Sequence, residues 1–201
     1  MSQLSLFSAD LTPPQLSDLG GLLAAHGQIV TGVGGVRLSI LLADSWRAEA
    51  LLRECRVRDV GAEVIAGADR VVGADPIAAT VFRSQFSELL AGLAQEWTRG
   101  AVKAVPAGLT LTPGLLRCWT IAAGHPADIG FLLGLDPHAP DTYEPLAAVC
   151  AAAGLAGSLL GVRGGGPAVR IVGYRRCARL AEMIGTPPPE APRGAFPALS
   201  H

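Results

Sequence analysis

The chain has 201 residues, of which 50% are hydrophobic and only 16% charged; this excludes wholesale disorder and suits one sizeable domain or two small, intimately packed halves. Lys plus Arg 16 against Asp plus Glu 17 leave a net charge of -1, which removes any bulk electrostatic pull toward nucleic acid or membrane surfaces. Such a partner must be held by a local patch.

In chain order, residues 1–11 (MSQLSLFSADL) show neither helical nor strand periodicity and are expected to be a flexible tail. No Lys or Arg precedes Arg37, so the basic head of a secretory or transit peptide is missing and a cytoplasmic location is expected. Thr12-Pro13-Pro14-Gln15 offers a cap followed by a proline at a first helical position, which places the start of the domain at residue 12. LSDLGGLLAAHG (16–27) reads as a helix ending at Gly27, and VRLSILLA (36–43) as a strand, with room for a further short strand at residues 28–30. SWRAEALLREC (45–55) is a second helix, GAEVIAG and ATVFRSQ two more strands, and residues 86–96 an apolar helix. Gly32-Val33-Gly34-Gly35 is a turn and not a dinucleotide loop, because a strand rather than a helix follows it.

Residues 97–112 connect to a second half that reads alike. PGLLRCWTIAAG (113–124) is a helix, GFLLGLD a strand and DTYEPLAAVCAAAG a helix, with Asp141 and Glu144 at cap spacing. SLLGV and AVRIVG pair across RGGGP, and YRRCARLAEMIG closes the half as an amphipathic helix. The uncharged run over 145–162 is broken by Gly154, Gly157 and Gly161 and reads as helix, turn and strand, not as a membrane span. Pro187, Pro188, Pro189, Pro192 and Pro197 deny residues 186–201 a regular element and mark a tail. The expected domain is thus 12–185, with halves at about 12–96 and 113–185. Two sheets that each carry apolar helices bury them by packing about a pseudo-twofold with helices inside, which leaves the other sheet faces as one exposed surface. Cys55, Cys118, Cys150 and Cys177 lie far apart without a C-x-x-C pair and read as reduced core thiols.

Leu19-Gly20-Gly21-Leu22-Leu23-Ala24-Ala25-His26-Gly27 resembles a degenerate LAGLIDADG helix, the signature of the homing-endonuclease fold, in which two such helices pack along a pseudo-twofold and the sheets form a DNA-binding saddle. Gly20, Gly21, Ala24 and Ala25 suit that close approach. The element order, with Trp97-Thr98-Arg99-Gly100-Ala101 and Leu180-Ala181-Glu182-Met183-Ile184-Gly185, is similar to the N-terminal domain of the sporulation regulator WhiA, a relative regarded as having lost cleavage. Over most of residues 16–185 the resemblance implies an α/β (α+β) fold of two related halves. It also implies that an acid near the end of each central helix would hold the metal that activates water in active relatives. The matching positions are His26 and Ala123, and RGAVKAVPAG as an alternative second helix offers no acid either. Nuclease activity, a metal and any other cofactor are therefore not expected. WhiA's helix-turn-helix part has no counterpart before the proline-rich end, so the role of transcription factor is not carried over.

Gln3-Leu4-Ser5-Leu6-Phe7 closely matches the bacterial sliding-clamp-binding motif of polymerases and repair proteins. Leu6 and Phe7, helped by Leu4, supply apolar area for a preformed pocket, and the Gln3 amide can hydrogen-bond at its rim. The alternative is that LSLF packs on its own domain. Arg163, Arg170, Arg175, Arg176 and Arg179 fall in a stretch free of acids, and alternation puts Arg37, Ser39 and Arg170 on the open sheet face, as tentative DNA contacts. Asp136, His138 and Asp141 in DPHAPD could ligate a cation, but the prolines and a capping role for Asp141 explain the segment without one. The function expected is a non-catalytic accessory protein of replication or repair that docks on the clamp and contacts DNA or a replisome partner, cytoplasmic and nucleoid-associated. The competing readings are a metal-dependent nuclease or other enzyme with an unrecognised site, and a pure interaction module offering helices 86–96 and 141–153.

Overall fold

The computed structural model describes residues 8–66, 70–72, 75–77 and 80–197, with residues 66, 70–72 and 75–77 described as backbone only. A 3-10 turn, Leu16–Leu19, runs into α1 (Gly20–Ala24), followed by β1 (Gln28–Gly32), β2 (Gly35–Leu42), α2 (Ser45–Arg56) and β3 (Ala62–Ala66). A small hairpin of β4 (Arg70–Val72) and β5 (Asp75–Ile77) precedes β6 (Thr80–Ser84), and a 3-10 turn at Glu88–Leu90 leads into α3 (Ala91–Trp97). The connection carries β7 (Thr98–Arg99) and β8 (Val102–Lys103). The second half comprises α4 (Pro113–Ala123), β9 (Gly124–Pro126), β10 (Phe131–Gly134), α5 (Tyr143–Ala152), β11 (Ser158–Leu160), β12 (Ala168–Ile171) and α6 (Tyr174–Ile184). The β4–β5 hairpin aside, each half is helix, two strands, helix, two strands, helix. The antiparallel sheets have the same order, β1-β2-β6-β3 and β9-β10-β12-β11.

Each half thus has one strand more than the clear sequence signals supply. β1 is the short strand expected near residues 28–30; it is an edge strand exposed along nearly its whole length, so no burial pattern marks it. β9 is also an edge strand and contains Pro126, which donates nothing to a ladder.

The helices lie inside. α4 buries Gly114, Leu115, Leu116, Cys118, Trp119, Thr120, Ile121 and Ala122, because α1, α2 and α6 surround it. α1 meets it where Gly21 stands: a Cβ there would collide with the Leu115 carbonyl oxygen and lie 2.5 Å from the Trp119 nitrogen. Only a residue without a side chain permits that approach. A buried ionic network sits where the leading turns of α1 and α4 meet the end of α2. Arg58 donates to Asp18 Oδ2 (2.8 Å), Glu54 Oε2 (2.7 Å) and the Gln15 carbonyl (2.8 Å), while Thr112 Oγ1 donates to Asp18 Oδ1 (3.0 Å). Arg117 joins through Glu54 Oε1 (2.7 Å) and the Ile184 carbonyl (2.8 Å).

Two capping expectations are corrected. The residue before the first helical turn is Gln15, whose N–H donates to Asp18 Oδ2 at 2.8 Å, whereas Thr12 Oγ1 donates to the Ser8 carbonyl. α5 begins at Tyr143 after a 3-10 turn containing Asp141, so Asp141 is not its cap. The segments outside 12–185 also pack on the globule where they are described. Ser8 is buried, the Ala9 N–H donates to the Met183 carbonyl (2.8 Å), and Asp10 Oδ2 accepts from the Thr186 N–H (2.7 Å). Residues 186–197 form no helix or strand, yet Phe196 is buried against Trp46 in an edge-to-face contact, and Glu190 pairs with Arg53.

Cys55, Cys118 and Cys150 are free and buried, and Cys177 is partly exposed. Burial pushes the Cys55 and Cys150 thiols up to about 12, and that of Cys118 well up. Native protein at mild alkaline pH is therefore expected to give one DTNB-reactive thiol, Cys177, with the other three appearing only in denaturant; rapid reaction of all four would contradict this packing.

Candidate nucleic-acid interface

Alternation along β2 sends Val36, Leu38, Ile40 and Leu42 into the core and leaves Arg37, Ser39 and Leu41 on the outer sheet face. Register then lines up Gln28, Ser39, Arg83 and Glu63 across the four strands. In the second sheet the same pairing lines up His125, Leu132, Arg170 and Ser158. Arg83 and Arg170 therefore occupy corresponding places, on β6 and β12, the last strand that each half contributes to its four-stranded sheet. Arg83 was not singled out by the sequence reading, although its position one residue beyond the buried Phe82 places it opposite the core by alternation.

The outer faces carry few charges. Arg83 Nε pairs with Glu63 Oε1 at 2.7 Å, in a partly exposed bridge worth less than about 1 kcal/mol. The Arg37 guanidinium lies 4.4 Å over the Phe86 ring. Arg170 is half-buried, and its Nε has no hydrogen-bond partner among the described residues.

The basic stretch of the second half does not form one patch. Arg163 is exposed in the turn between β11 and β12, and Arg175 and Arg176 are exposed on the first turn of α6. Arg176 Nη1 lies 3.3 Å from the Val172 carbonyl. Arg179 Nε donates to the Ala153 carbonyl at 2.6 Å and so closes the end of α5, among the helices rather than on the sheet. Gln3, Leu4, Ser5, Leu6 and Phe7 lie outside the described residues.

Just beyond the end of α1, between the first sheet and the loop that follows β10, a cleft of about 520 Å³ is lined by His26, Gln28, Ser39, Asp136 and His138, with Ile40, Leu41, Val81 and Pro137 as its apolar wall. His26 Nε2 lies 2.7 Å from the Leu41 carbonyl. Asp136 Oδ2 accepts from Lys103 Nζ (2.6 Å) and Gln28 Nε2 (3.0 Å), and Oδ1 from the His138 N–H (2.9 Å). Burial alone would raise the Asp136 carboxyl, but the Lys103, His138 and Gln28 donors outweigh it and hold it below the usual carboxylate range. Burial lowers the Lys103 ammonium despite the opposing carboxylate.

These residues do not fit a hard divalent ion. Two residues before β1 and directly before β9, where the two central helices give way to strands, stand His26 and Ala123, and the nearby carboxylate Asp136 already has both oxygens engaged by donors. Among the described residues no group of three His, Cys, Asp or Glu converges on a metal position, and DPHAPD is no exception.

With this geometry in view, two solved structures are similar over most of the chain. The homing endonuclease I-WcaI bound to its DNA recognition sequence matches with a TM-score of 0.64 at 13% identity, covering 90% of this chain and 87% of that one. The N-terminal LAGLIDADG domain of DUF199/WhiA matches with a TM-score of 0.56 at 15% identity, covering 86% and 81%. No protein-family model and no curated protein matches. The fold is LAGLIDADG-like: two related sheet-and-helix halves joined along α1 and α4. No helix among the described residues is long and apolar enough to cross a membrane.

Proposed function

We propose that this protein is a DNA-contacting, non-cleaving accessory protein of bacterial replication or repair, held at the sliding clamp by Gln3, Leu4, Ser5, Leu6 and Phe7. The observation that carries the DNA reading is the placement of Arg83 and Arg170 at corresponding points of the two outer sheet faces, on a fold shared with an endonuclease bound to DNA. Absence of cleavage rests on His26 and Ala123, neither of them a carboxylate, at the helix ends. The few basic groups imply weak, salt-sensitive binding, with the logarithm of affinity falling by about 0.9 per phosphate contact for each tenfold rise in salt. A weak DNA contact gains from a tether, because a second attachment raises the local concentration of the first. Ser8 and Ala9 are anchored beside α6, which would hold the clamp close to that end of the domain. In this role the protein works in the cytoplasm, at the nucleoid.

Titration of purified clamp against the intact chain and a Leu6→Ala, Phe7→Ala variant tests the docking. Binding weakened about tenfold or more in the variant is expected, because the two side chains supply most of the apolar anchor. Equal affinities, or no binding of the intact chain, would remove the clamp from the proposal.

A further inference from the structure

The ends of α1 and α4 each meet a cation from elsewhere in the chain. Arg47 Nη1 donates to the Ile121 carbonyl (2.7 Å) and Nη2 to the Gly124 carbonyl (2.6 Å), at the end of α4. Its Nε is held by Asp44, the aspartate that follows β2, at 2.9 Å. Lys103 Nζ donates to the Ala25 carbonyl (3.0 Å), at the end of α1, and is held by Asp136, the aspartate that follows β10. Each half thus supplies an aspartate that fixes a cation on the helix end of the other half. Arg47 and Lys103 expose only 10% and 9% of their side chains, so both charges are committed to these positions.

A helix C-terminus carries about half a negative charge and up to four unpaired carbonyls, and two such ends side by side repel each other. Bound divalent ions with carboxylate ligands would neutralise them in a metal-dependent enzyme, but the ligands for that are missing here. We infer that Arg47 and Lys103 replace those ions: they form a built-in cation clamp that neutralises both helix ends and ties the halves together without metal. The inference does not depend on DNA contact, since it is read from the stability of the free protein.

Thermal unfolding of the full chain in EDTA and in millimolar Mg²⁺ or Ca²⁺ tests it. The wild type is expected to melt at the same temperature in both. Lys103→Ala leaves Asp136 buried without its cation and is expected to melt about 5–10 °C lower in EDTA. It also frees the Asp136 carboxylate and the Ala25 carbonyl as oxygen ligands where Lys103 Nζ stood, so a divalent ion is expected to restore part of the loss. Adding Asp136→Asn to that variant should abolish the restoration. A wild type stabilised by divalent ion would overturn the inference, as would a Lys103→Ala variant that melts like the wild type. So would a Lys103→Ala variant that gains nothing from metal. If Lys103→Ala does not fold, Mn²⁺ added to the wild type decides. Unbroadened His26 and His138 imidazole resonances are expected, and selective broadening of them would overturn the inference.

Discussion

Arg58→Met is expected to destabilise the protein by about 3–5 kcal/mol, because it removes the cation from a buried site and leaves its anions behind. Arg58 and Asp18 expose only 3% and 5% of their side chains, and Glu54 is nearly as well covered. In the variant Glu54 keeps Arg117, and Asp18 keeps Thr112 Oγ1 and the Gln15 N–H, but Asp18 has no cation left. For a chain of this size the loss corresponds to a midpoint lowered by roughly 10 °C. A double-mutant cycle with Asp18→Asn separates the pair from general packing. The shared network should make the second substitution much cheaper in the Arg58→Met background than in the wild type. Additive losses would mean that the two side chains do not act together. The network joins the leading turn of α1, the end of α2 and the start of α4, so its loss should loosen the helix layer before the sheets.

The second large effect is expected at Gly21, where the ordinary helix rule changes sign. In an exposed helix Gly→Ala stabilises by about 1 kcal/mol. At Gly21 the added Cβ would meet the Leu115 carbonyl oxygen and lie 2.5 Å from the Trp119 nitrogen and 2.8 Å from Cys118 Cβ. Two of these atoms are backbone of α4, so relief requires the central helices to separate. Gly21→Ala is expected to destabilise by about 2–3 kcal/mol, and Gly21→Val to prevent the halves from packing. Gly92, in α3, has open space around its would-be Cβ and is the control: alanine there should be neutral or stabilising. Chemical denaturation of the three proteins checks both signs. A Gly21→Ala variant as stable as the wild type would contradict the close helix seam.

Much of this architecture was legible because its signals are local. The glycine-rich run at residues 20–21, the all-round apolar character of α4 and the alternation in VRLSILLA each follow from burial on a known period. The edge strand β9 escaped, and β1 showed only as room for a short strand at residues 28–30, because an exposed strand has no inner face to pattern. Arg37 and Arg170 were readable from alternation; Arg83 had the same signal around Phe82 and was overlooked. Along the basic stretch from Arg163 to Arg179, proximity in sequence says nothing of facing: Arg170 stands in the sheet, whereas the exposed Arg179 reaches the end of α5. The meeting of the two central helix ends was the least legible. Lys103 meets Asp136, and Arg47 meets Gly124, only after the halves have packed, and no local rule pairs residues so far apart. The same holds for Phe196, which a proline-rich composition marked as part of a tail but which finds Trp46.

The most direct measurement is a fluorescence-anisotropy titration of duplex DNA at low salt, with wild type and an Arg83→Glu, Arg170→Glu variant of confirmed fold, followed by incubation of the wild-type complex with Mg²⁺. Wild type is expected to bind with affinity that falls as salt rises, the variant to lose about tenfold or more through reversal of two charges on the outer sheet faces, and the DNA to stay intact. Absence of binding, equal binding by the variant, or metal-dependent cleavage would contradict a non-cleaving DNA saddle.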